Sequence, residues 1–193
     1  MKSTLIVPLL GLFVLGAVAA ESQSAKGTES AATAPSTIAA LDLPRYLGTW
    51  FEIAKYPNWF QRKCVSDTKA TYSLQTDGRV RVVNRCVMEN GQVNEAIGVA
   101  RQIGDARSPK LEVRFAPSWL SFIPAVWGDY WVIDLDPEYQ VVAISEPKRE
   151  YLWILSRQPT LGPKTYQDLL ARLEKNGFDV RKLELTRQLF TVN

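Results

Sequence analysis

The chain offers little for acid–base or nucleophilic chemistry. It has no histidine and two cysteines, Cys64 and Cys86. Histidine is the commonest metal ligand and the usual general base near neutral pH, so Ser-His-Asp and Cys-His catalysis have no material here. A tetrahedral Cys/His zinc site is equally out of reach, and no metal or other cofactor is expected. One carboxylate stands out. Glu52 shares alternation parity with Trp50, Ala54 and Tyr56, which turns it toward an interior where desolvation raises a carboxyl pKa. No nucleophile, base and orienting group assemble around it in the sequence, so the expectation is a binding protein. An enzyme centred on Glu52 is the alternative. The two cysteines fall on neighbouring strands with matching parity. They bond if a bulge or loop absorbs the register offset between them; otherwise they are two buried free thiols.

Aromatic and aliphatic side chains at period-two spacing are plentiful instead. From Gly48 to Arg157, short β-rich runs alternate with turn signals, a pattern of antiparallel sandwiches and barrels. Strands are expected at 49–56, 67–75, 80–87, 93–103, 110–115, 129–135, 139–145 and 151–157. Asp77-Gly78 is the sharpest hairpin signal. Alternation places Ala70, Tyr72 and Leu74 on one face, with Val80, Val82, Asn84 and Cys86, then Leu111, Val113 and Phe115, then Tyr151, Trp153, Leu155 and Arg157. Eight strands enclose an interior just wide enough for side chains or one small ligand. A barrel packed solid by its own side chains is the competing expectation. The candidate ligand-lining set is Ala54, Tyr56, Trp59, Phe60, Tyr72, Val82, Val113, Phe115, Tyr151 and Trp153. Trp50, delivered just after Gly48, reads as a plug for one end.

The rest of the chain must position this wall. Pro163–Asn176 reads as one helix, with Pro163 at its first turn, Gly177 as its stop and Tyr166, Leu169, Leu170 and Leu173 as a single apolar stripe. It should lie on the outside of the sheet, against Phe51 and Ile53. Lys182–Thr186 alternates again, as a short edge strand would. Two connections are unusually apolar: Asn58-Trp59-Phe60 and Pro117–Trp127, with Trp119, Leu120, Phe122, Ile123 and Trp127. Either they cap the core, or they form an apolar lip for ligands, a membrane surface or a second copy in a homodimer. Arg62 and Lys63 beside the first loop suit an anionic head group.

At the N-terminus, Lys2, an apolar run over 5–18 and the small residues around Ala19 form a secretory signal peptide, here 1–20. Residues 21–37, rich in Ser, Ala and Thr, read as a flexible linker, and 38–193 as the folded domain. Export makes a disulfide possible and implies the periplasm. The net charge of +3, spread among nearly balanced signs, argues against nucleic acid as a partner.

Gly48-Thr49-Trp50, Asp136 and Arg157 resemble the three signature regions of the lipocalins. The strings GTWFEIAKYP, TATYSLQTDG and YLWILSRQP are similar to those of the bacterial outer-membrane lipocalins and apolipoprotein D. The resemblance spans about Leu41 to Gln188. It implies an all-β fold with one C-terminal helix: an eight-stranded antiparallel up-and-down barrel enclosing a cavity. It implies that Arg157 packs over Trp50 at the closed end, and that Tyr72 and Trp153 line the pocket. It also implies carriage of small hydrophobic molecules, with fatty acids or lysophospholipids in envelope maintenance as the bacterial case, associated with the outer membrane. The lipid-acceptor cysteine of the bacterial relatives is missing here. So is the C-terminal cysteine that pairs with the Cys64 equivalent in apolipoprotein D.

Overall fold

The structure, a computed structural model, describes residues 33–116 and 123–189. Trp119, Leu120 and Phe122 of the expected lip lie outside the described residues, as does the signal segment 1–20. Eight strands run in order: β1 Gly48–Lys55, β2 Cys64–Leu74, β3 Val80–Met88, β4 Val93–Gln102, β5 Lys110–Arg114, β6 Gly128–Leu135, β7 Val141–Ser145 and β8 Leu152–Ser156. Each pairs antiparallel with the next, and β1 pairs with both β8 and β2, so the sheet closes on itself. This is an up-and-down barrel, which removes free sheet edges.

Turn chemistry accounts for the corners. Gly78 adopts φ +80° and Gly91 φ +75°, the conformation that the Asp-Gly and Asn-Gly corners supply. Asp136 holds the β6–β7 turn by accepting from the amides of Glu138, Gln140 and Val141. That is a structural job for the residue that resembles the second signature region.

Helix α2, Pro163–Lys175, starts on Pro163 and ends where Gly177 takes φ +83°. The Phe178 amide returns to the Leu173 carbonyl at 3.0 Å, closing the helix end. Leu169 and Leu173 are fully covered, and pack with Ile53, Ala143, Leu152, Ile154 and Phe178. This is the outer core, between helix and wall. The inner core comprises Trp50, Tyr72, Val80, Val82, Leu111, Val132, Val142, Ile144 and Leu155. Alternation along β7 and β8 feeds both cores, so every residue of β7 is buried.

Two features depart from simple alternation. The register of β1 against β8 slips between Glu52 and Ala54, a bulge that re-aims every side chain after it. Higher up, β1 and β2 part company, and a two-residue strand β9, Glu184–Leu185, runs along β1 in the gap. The following residues stitch both sides. The Thr186 amide donates to Ile53 O at 2.9 Å, and the Asp67 amide donates to Arg187 O at 2.8 Å. Gln188 Nε2 donates to the carbonyls of Glu52 and Thr68. The expected edge strand at 182–186 is thus the element that seals the upper seam.

The docked region begins before Ile38. Pro35 is buried, Ser36 exchanges two hydrogen bonds with Asn176, and Arg149 donates to Thr33 O.

Candidate ligand-binding site

The lower end of the barrel is closed by α1, Leu43–Tyr46, and by two side chains. Asp42 caps α1 by accepting from the Arg45 amide, and Pro44 sits in its first turn. The Trp50 indole is fully covered and donates to Tyr46 O at 2.8 Å. The Arg157 guanidinium lies 3.9 Å from the Trp50 ring centroid. Its Nη2 donates to the carbonyls of Arg45, Tyr46 and Leu47, its Nη1 to Thr49 O, and its Nε to Tyr139 O. One cation therefore satisfies the carbonyls that α1 leaves open at its end and caps the indole. Gly48 makes this approach possible: at φ +98°, a Cβ there would stand 3.2 Å from Arg157 Nη1.

Above this floor lie three phenols. The Tyr46 and Tyr130 hydroxyls are 2.5 Å apart, and those of Tyr72 and Tyr130 are 3.0 Å apart. Burial pushes all three phenols up, that of Tyr72 to about 12, so they act as neutral hydroxyls. The wall beside them is thin. Gly98 and Ala100 face inward opposite Val82 and Val80. Asn84, flanked by Ala70 and Ala96 on the neighbouring strands, keeps a buried Oδ1 without a hydrogen-bond partner. The Phe115 ring lies across Gly98, 2.7 Å from where a Cβ would be.

The upper end carries an aromatic cluster. The Phe60 ring is 5.6 Å from Tyr151 and 6.0 Å from Trp153, and Tyr151 stacks on Trp153 at 5.8 Å. Trp59 meets Phe60 edge-on and is 71% exposed. Gln61 ties this cluster down. Its Oε1 accepts from Trp153 Nε1 and Asn58 Nδ2, and its Nε2 donates to Glu52 Oε2.

Glu52 is buried on the inner side and is a junction. Thr186 Oγ1 donates to its Oε1 at 2.6 Å, and Lys55 Nζ lies 3.9 Å away. Burial raises its pKa, partly offset by the hydrogen bonds from Thr186 and Gln61 and by the Lys55 charge. Its carboxylate thus holds the C-terminal strap to the mouth loop.

Of the residues expected to line the cavity, Tyr72, Val82, Val113 and Trp153 belong to or pack on the inner core. Trp59, Phe60 and Tyr151 gather with Trp153 at the mouth. Two expectations are corrected. Ala54 and Tyr56 pack in the outer core beneath α2, and Tyr56 donates to Asp179 O. The bulge after Glu52 turns both away from the interior and turns Lys55, opposite Trp153, inward. Trp127, expected on the lip, sits against the guanidinium groups of Arg101 and Arg114, at 4.2 and 5.2 Å. Arg101 also pairs with Glu112 on the outer face. Cys64 and Cys86 are bonded, with Cα atoms 5.5 Å apart. The offset is absorbed by two register shifts in β2, between Cys64 and Ser66 and between Ser66 and Lys69. Sequence reasoning missed Tyr46, Tyr130, Gln61 and Lys55 as site residues. Tyr130, two residues before the core Val132, carried a usable parity signal.

The comparisons with known proteins agree with this geometry. The model described as "Lipocalin-like domain" matches residues 41–188. Temperature-induced lipocalin-1 of Arabidopsis thaliana is 42% identical over 154 residues, covering 78% of this chain and 81% of the relative. Outer membrane lipoprotein Blc of Citrobacter freundii is 38% identical over 148 residues, 76% and 79% of the two chains. Apolipoprotein D of Macaca fascicularis is 34% identical over 187 residues, 92% and 94%. With its closed eight-stranded wall, arginine-capped indole and external helix, the chain belongs to the lipocalin family, whose members bind small hydrophobic ligands.

Proposed function

We propose that this protein carries single-chain lipids, fatty acids or lysophospholipids, in an exported compartment, in maintenance of a bacterial envelope. The observation that carries the reading is the polarity of the barrel. One end is locked by Arg157 over Trp50, and the other carries the Phe60–Tyr151–Trp153 cluster beyond a wall of Tyr72, Val82, Val113 and Leu155. Acyl chains gain about 0.8 kcal/mol per buried CH₂, so such a wall reaches micromolar affinity without special chemistry. The Cys64–Cys86 bond supports export, since disulfides persist in oxidising compartments. The likeness to proteins named outer membrane lipoprotein Blc supports an envelope location. In this reading residues 1–20 are the cleaved leader and the chain works in the periplasm. The test is titration of delipidated protein with a fluorescent fatty acid and a fluorescent lysophospholipid. Saturable micromolar binding is expected; no binding of either probe overturns the proposal.

A second use of the rim is favoured by Trp59 and Val65, both well exposed beside Arg62 and Lys63. Here the mouth meets a second copy or a membrane surface. Native mass spectrometry separates the readings, by mass inside a monomer or by a dimer.

A further inference from the structure

The deep end of the barrel is not uniformly apolar. Tyr46, Tyr72 and Tyr130 bring three hydroxyl protons, yet their chain contains two hydrogen bonds. Each bond consumes one proton, so whichever way the chain runs, one O–H is left over. The spare proton is on Tyr72 when Tyr46 donates to Tyr130 and Tyr130 to Tyr72, on Tyr46 when the chain runs the other way, and on Tyr130 when both neighbours donate to it; an acceptor beside Tyr72 favours the first. Close by is an acceptor in the opposite condition. Asn84 Oδ1 is buried and has no hydrogen-bond partner. Tyr72 pairs with Val82 and Asn84 with Ala70, which makes Tyr72 and Asn84 diagonal neighbours on one inner face, about 7–8 Å apart along the diagonal and within reach of a long side chain. The wall positions that flank Asn84 on either side, Ala70 and Ala96, are small, while the Phe115 ring covers Gly98 one inner position further along.

A buried donor and a buried acceptor without partners are costly in an apolar site. A methyl end of an acyl chain pressed against them would satisfy neither. A carbonyl would satisfy only the phenol. A hydroxyl satisfies both, accepting from Tyr72 and donating to Asn84. We infer that the floor of this barrel is a binding subsite for a neutral hydroxyl at the buried end of an otherwise apolar ligand, read by Tyr72 and Asn84. The ligand class is therefore an amphiphile with a second oxygen function remote from its head group, such as a terminally hydroxylated fatty acid.

This inference rests on the reading of the barrel as a lipid carrier, and the experiment separates the two. Delipidated full-length protein is titrated with lauric, myristic and palmitic acids, each with and without a terminal hydroxyl. A hydroxyl added to a tail normally weakens binding to an apolar cavity. Here, at the length that reaches the floor, the hydroxy acid is expected to bind roughly three- to ten-fold tighter than its parent. Asn84→Leu is expected to abolish or reverse that preference while binding the plain acid more tightly. Tyr72→Phe serves the same purpose should the Asn84 variant misfold. Hydroxy acids that bind more weakly at every length overturn the subsite and leave the carrier reading standing. A preference that survives in both variants also overturns it. Failure of every acid to bind overturns the carrier reading and the subsite together.

Discussion

The Phe115 ring occupies the space into which a side chain at residue 98 would project: a Cβ on Gly98 would stand 2.7 Å from Phe115 Cδ1 and 2.7 Å from Arg114 O. A wall position without a side chain thus seats an aromatic ring supplied from just past the end of β5. Gly98→Ala is expected to destabilise the barrel by about 1–3 kcal/mol, the usual cost of overpacking. Phe115→Ala in the same chain relieves the ring clash but not that with the Arg114 carbonyl. A urea-unfolding cycle of the two single variants and the double should show coupling of about 0.5–3 kcal/mol with incomplete recovery.

At the closed end, Arg157 does two things that substitutions can separate. Arg157→Lys keeps a cation near Trp50 but cannot reach the carbonyls of Arg45, Tyr46, Leu47 and Thr49 together, because an ammonium is a compact point charge rather than a planar fork. Arg157→Ala removes both. Expected losses are about 1–2 kcal/mol for the lysine variant and about 3 kcal/mol for the alanine variant. Chemical denaturation gives the size, and indole near-ultraviolet dichroism tests whether Trp50 has lost its fixed setting.

Glu52 makes stability depend on pH in a definite direction. Burial raises its folded pKa above that in the unfolded chain, so the folded state holds the proton more tightly than the unfolded state does. That contribution is fully present below the ordinary glutamate range and is lost as pH rises through the raised folded value. Glu52→Gln, which does not ionise, should remove this dependence. Melting temperatures of the two proteins across mildly acidic to neutral pH should therefore diverge, the wild type falling relative to the variant as pH increases. Parallel curves would show that Thr186, Gln61 and Lys55 compensate the buried charge fully.

The Cys64–Cys86 bond closes a loop with a sequence separation of 22 residues. In the chain-entropy picture this contributes about 3 kcal/mol, by constraining the unfolded chain. Replacing both cysteines by serine should lower the unfolding free energy by about that amount. A reducing agent should produce the same shift in the wild type and none in the variant.

The strand order and the helix were legible because their signals are local. Asp77-Gly78, Asn90-Gly91 and Pro163 with Gly177 mark boundaries by their own backbone preferences, and period-two runs such as Val80 to Cys86 assign faces between them. What could not be read depends on non-local geometry. The bulge at Ile53 adds one residue to a well-patterned strand, and nothing in GTWFEIAKYP distinguishes the two sides of that slip. Alternation therefore assigns Ala54 and Tyr56 to the wrong face. The hydroxyl chain of Tyr46, Tyr72 and Tyr130 joins three widely separated strings. Asn84 was placed inward by alternation, but its lack of a partner is visible only once its neighbours are known to be alanines.

The segment that seals the upper seam also sets an order of assembly. The opposite banks of that seam are Ile53 and Asp67, among the first parts of the domain to be made, and the thread that joins them is Thr186 to Leu189, more than a hundred residues later. Such a distant closure is slow to form. A newly made chain therefore completes most of its hairpins around a slit, and becomes a sealed vessel only when its far end is sewn between its two earliest strands.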